Sequence, residues 1–62
     1  MANNNLSDKE VTLISDLLTY EEAACKKARL YSKMLTDPEL AQVAGRIADN
    51  HFKRFSSLLD LL

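Results

Sequence analysis

The chain has 62 residues, eight of them basic and nine acidic, for a formal net charge of −1, and a single cysteine, Cys25. A lone core of this size barely offsets chain entropy, and one cysteine forbids an intrachain disulfide, so stability is expected from self-association or from a metal. The interspersed signs offer no basic face to displace counterions from nucleic acid or to meet an anionic membrane, and no apolar run approaches the roughly 20 residues of a membrane span.

The opening Met1-Ala2-Asn3-Asn4-Asn5 has no charged segment followed by an apolar stretch, so secretion by a signal peptide is not expected. The lone cysteine agrees with cytoplasmic synthesis under reducing conditions. Residues 1–6 read as a frayed polar lead-in. Ser7-Asp8-Lys9-Glu10 then has the form of a capping box, with the Ser7 hydroxyl serving a free amide of the first turn and Glu10 reaching back.

The first helix is predicted from about residue 8 to residue 35. Val11, Ile14, Leu17, Leu18, Cys25, Ala28, Tyr31 and Leu35 follow one another at helical spacing and draw one apolar stripe. Ala24, Cys25 and Ala28 are small enough for a neighbouring helix to come close. Leu13, Leu30 and Met34 lie off the stripe and widen the apolar surface. Thr36-Asp37-Pro38-Glu39 is the one strong turn signal, with Asp37 or Thr36 as the cap and Pro38 at a first helical position where its missing N–H costs nothing.

The second helix is predicted from about residue 38 to residue 60. Its stripe reads Leu40, Val43, Ala44, Ile47, His51, Phe55, Leu58 and Leu62, with Phe52, Leu59 and Leu61 beside it. Gly45 interrupts the helix formers and is expected to mark a close contact. A short turn makes the helices antiparallel neighbours. The expected fold is all-α: one domain over residues 1–62, an antiparallel two-helix hairpin that dimerises into a four-helix bundle. Two helices cannot cover apolar faces this wide, and a symmetric homodimer is the simplest cover. Its core is expected to draw on Ile14, Leu18, Cys25, Ala28, Ile47, Phe55 and Leu58.

Two ionisable residues interrupt the stripes. Glu21 lies 15 positions before Thr36 and His51 lies 15 after it, so a hairpin brings them to one level, roughly 22 Å from the turn. A buried charge is costly unless paired, and the pair reads first as a buried polar contact that fixes helix register. Two other readings stand beside it: an exposed, unconnected pair, and a metal site in which two copies supply four ligands of a type zinc or iron accepts. Four-helix di-iron sites carry a glutamate three positions before the histidine, and here that position is Ala48. Asp49, two before His51, points elsewhere on the helix. No metal and no cofactor are therefore expected, with Glu21 and His51 as the only candidate metal ligands. Cys25, the two tyrosines and the two phenylalanines read as packing residues, and no catalytic set assembles.

The segments Leu6-Ser7-Asp8-Lys9-Glu10, Asp16-Leu17-Leu18 and Glu21, with the Asp37-Pro38-Glu39-Leu40 turn and Ile47-Ala48-Asp49-Asn50-His51, resemble the coat F domain of endospore-forming bacteria. The resemblance covers the chain from Leu6 to about Phe55. It implies a ferritin-like helical hairpin, association with the spore coat and with other coat proteins, and no catalysis. Many members carry two such hairpins, and dimerisation of this one would replace the second. Asp49-Asn50 departs from the pair of glutamates that commonly precedes the histidine, which weakens a metal role further. A second resemblance is local: Ser56-Ser57-Leu58-Leu59-Asp60 fits the Ser-x-x-Leu-Asp pattern of small helical-hairpin phosphatases of sporulation response regulators.

Overall fold

The computed structural model describes residues 5–62. Most of the lead-in predicted for residues 1–6 lies outside them. Helix α1 spans Asp8–Met34 and α2 spans Pro38–Leu59, with no strand among the described residues. At the start of α1 the Glu10 N–H donates to the Ser7 hydroxyl and the Ser7 N–H donates to the Glu10 carboxylate, so two orphan donors are satisfied reciprocally. That contact holds the Glu10 carboxyl below its ordinary value. Leu35, in extended geometry, closes α1 with its N–H on the Tyr31 carbonyl. Asp37 is the cap of α2, accepting from the N–H groups of Glu39 and Leu40, and Pro38 opens the helix. Thr36 takes no part in the cap.

The two helices form a hairpin with Cα extents of 46 × 15 × 10 Å, a slab with two broad faces. Small residues line the seam. Ala48 is the most buried of the described residues, with 0% of its surface exposed, and Ala41, Ala44 and Gly45 are half-buried around it. From α1, Ile14 and Glu21 are buried, and Leu18, Ala24, Cys25, Ala28 and Ser32 are half-buried. At 3.6 residues per turn these positions trace one line up α1 and one down α2.

The α2 stripe read from the sequence is rotated relative to this seam. Ile47, expected in the dimer core, is 45% exposed on the single hairpin, whereas Ala48 beside it is sealed against α1. Leu40 and Val43 are exposed with Ile47. The physical reason is backbone approach: a seam of alanines lets two helices pack closely, and the larger side chains are pushed to its edge. Leu18, Cys25, Ala28, Phe55 and Leu58 are half-buried. Gly45 marks no close contact, because a Cβ at that position meets nothing within 4 Å.

The two broad faces differ. Face A carries Leu13, Leu17, Tyr20 and Tyr31 from α1, spaced along one row, and Leu40, Val43 and Ile47 from α2. All seven are exposed. Ala24, Lys27, Ala28, Tyr31, Ala44, Ile47 and His51 line an open groove along its centre. Face B carries exposed Val11, Phe52 and Leu59 and is crossed by a salt bridge from Arg29 to Asp49 at 3.0 Å. An Asp49 hydrogen bond, working against desolvation, holds the Arg29 guanidinium above its ordinary value.

Candidate functional site

The middle of α1 and the second half of α2 meet in one polar cluster. Glu21 is buried between the helices, and its side chain retains 9% exposure against 15% for His51. His51 Nδ1 lies 2.5 Å from Glu21 Oε1. The other carboxylate oxygen, Oε2, accepts from Arg54 Nε at 3.1 Å. Tyr20 completes the layer by meeting the His51 ring edge to face, with centroids 6.2 Å apart.

The hydrogens assign themselves by exclusion. Nδ1 cannot both donate to Glu21 and accept from Arg54. With the carboxylate accepting from Nδ1–H, the 3.0 Å approach of Arg54 Nη2 to the same nitrogen is a contact between two donors gathered around one acceptor group, not a hydrogen bond. The His51 hydrogen bond, opposed by desolvation and aided by Arg54, holds the Glu21 carboxyl below its ordinary value. Among the described residues no buried side-chain nitrogen or oxygen lacks a partner.

This geometry bears on the metal reading. Both oxygens of Glu21 are engaged, one by an imidazole N–H and one by a guanidinium. Arg54 sets a permanent positive charge beside the two candidate ligands, where a cation would have to sit. No group of three or more His, Cys, Asp or Glu side chains is placed to hold a metal among the described residues. Ala48, at the position of the missing carboxylate, is instead the point where the two helices seal together.

Sequence reasoning paired Glu21 with His51 and missed Arg54. The signal was present: Arg54 follows His51 by three positions and so lies on the same side of α2 one turn later. The Tyr20 contact and the Arg29–Asp49 bridge were missed too. Cys25 is a free thiol lining a small open groove on face B with Glu22, Lys26, Phe52 and Phe55. The phosphatase-like segment forms the end of α2: Ser56 is half-buried, Asp60 is exposed, and the Asp60 N–H donates to the Ser56 carbonyl at 3.1 Å. Among the described residues, no helix is long and apolar enough to cross a membrane.

The fold and the layer define a helical hairpin cross-braced by one buried carboxylate. Comparison of the chain with protein-family models, curated proteins and solved structures finds no match.

Proposed function

We propose that this chain is a non-catalytic structural and interaction protein that works as a homodimer of hairpins in a ferritin-like four-helix bundle, in the manner of a spore-coat component. The observation that carries this reading is the surface left by the hairpin. Among the described residues only Ile14 and Ala48 are buried apolar residues, while seven large apolar side chains stand exposed on face A alone. An apolar surface of that extent on a small domain is the mark of an association site. The polar cluster supports the same reading, since its carboxylate is consumed in holding two helices in register rather than left available for chemistry. The placement in the spore coat, beside other coat proteins, is supported by the resemblance of the Leu6–Glu10, Asp37–Leu40 and Ile47–His51 segments to coat F domains.

Native mass spectrometry of the full chain tests oligomeric state and metal content on one sample. The expected species is a dimer of the 7.0 kDa chain without stoichiometric transition metal. A folded monomer at micromolar concentration contradicts the architecture. About one metal per dimer, lost in His51→Ala, replaces the structural reading with the metal-binding one. For the cellular placement, the chain is expected in coat extracts of mature spores of the organism that encodes it, and its absence there removes that assignment.

A further inference from the structure

We infer that a second copy of this chain docks on face A turned end for end, so that the turn of one hairpin lies against the termini of the other and the two Glu21–His51–Arg54 clusters meet at the two-fold axis. This rests on the dimeric reading above and adds the face, the orientation and the register.

The face follows from its apolar content, and its size suffices for a stable interface. Face A holds two rows of large apolar side chains flanking an open groove, whereas face B is bridged by Arg29 and Asp49. A face of 46 by 15 Å offers roughly 700 Å² in projection, close to the ~800 Å² per partner of a stable interface.

The orientation follows from register. Glu21 is the central residue of α1, the fourteenth of 27. End-for-end docking lays α1 along α1 of the second copy, with residues level when their numbers add to about 42. That places Leu17 and Tyr20 of one copy against Ala23 and Ala24 of the other. The large side chains then meet an existing hollow, because Tyr20, Ala23, Ala24 and Lys27 line an open depression of about 380 Å³ on α1. At the outer edge of the same pairing Lys27 comes level with Asp16 of the second copy, opposite in sign. Docking with both turns together instead lays α1 along α2 of the other copy and sets Lys27 against the apolar Val43 and Ile47.

Charge favours the same arrangement. Leaving aside Glu21 and Arg54 at the centre, the turn half of the hairpin, residues 22–50, carries five basic and four acidic side chains. The other half carries two basic and four acidic. End-for-end docking puts the net positive half of each copy on the net negative half of its mate.

Single-cysteine variants of the full chain, each in a Cys25→Ala background, test all three elements under mild oxidation. Tyr20→Cys, next to the predicted axis, is expected to give a disulfide-linked dimer in high yield, while Thr36→Cys in the turn and Phe52→Cys on face B give little. Efficient linkage at Thr36→Cys overturns the orientation, and efficient linkage at Phe52→Cys overturns the face. A protein that sediments as a monomer overturns the dimeric reading itself. A charge exchange provides a second readout on exposed residues that leave the hairpin intact. Lys27→Glu is expected to weaken dimerisation about five-fold, through two symmetry-related pairs, and Lys27→Glu with Asp16→Lys to restore it. Equal weakening by the single and the double variant removes the proposed register.

Discussion

Faces A and B are built from the same two helices and have different physical characters. Face B carries three scattered large apolar side chains and an ion pair across the seam. Face A carries two apolar rows, and the polar cluster at its centre ties Arg54, whose side chain is 55% exposed, to the buried Glu21. The difference arises at the seam. Because α2 presents Ala41, Ala44 and Ala48 to α1, its larger apolar residues cannot all turn inward, and Leu40, Val43 and Ile47 fall together on one side. A close-packed hairpin and an exposed apolar face are thus two consequences of one run of alanines.

Placing a charge on each face in turn should separate them most strongly. Ile47→Glu on face A is expected to lower dimer affinity by about 100-fold or more, since each copy loses roughly 1.5 kcal/mol or more of burial and gains a charge to desolvate. Phe52→Glu on face B should leave affinity within a few-fold. Sedimentation equilibrium reads both, and equal losses would erase the distinction between the faces.

The seam is tested by Ala48→Leu. A side chain added where no surface is free should destabilise the fold by about 2 kcal/mol, read by urea denaturation. A neutral result would mean that the helices do not meet closely there.

The polar layer has a pH signature. Glu21 has a depressed pKa in the folded protein. Its contribution is therefore complete above the ordinary carboxyl value of about 4.3 and is lost as pH falls through the lower folded value. Stability should rise with pH across that window, because the unfolded chain binds more protons there. Glu21→Gln should flatten this acid limb while leaving the Glu10 contribution in place. An unchanged limb would show that the carboxylate is not held by His51 and Arg54.

The smallest expected effect is a gain. Gly45 occupies a helix interior with open space around it, so Gly45→Ala should stabilise by up to about 1 kcal/mol. A loss would show that the alanine methyl meets something, as would happen if a partner approached at that position.

Much of the hairpin was legible because its punctuation is local. Ser7 with Glu10, and Asp37 with Pro38, act within one turn of the chain, and their caps can be read without knowing what packs where. The level of Glu21 and His51 was legible for a similar reason, since equal distances from a tight turn fix a register whatever the side chains do. The rotation of α2 was not. Hydrophobicity alone favours turning Ile47 inward, and only the competing gain from close helix approach selects Ala48 in its place. Arg54 was missed because an arginine three residues from a histidine has many conformations in a helix, and which one is used depends on a carboxylate from the other helix. Gly45 was misread for the opposite reason: a glycine suggests a neighbour, and here the space is empty.

In the proposed dimer two copies meet through face A with their polar layers at the axis. Isotope-filtered nuclear Overhauser spectroscopy on an equimolar mixture of labelled and unlabelled full-length chain tests it most directly. Intermolecular contacts are expected from the Tyr20 ring and the Leu17 methyls to the Ala23 and Ala24 methyls. Intermolecular contacts running instead to Phe52 and Leu59, or none at all, would contradict it.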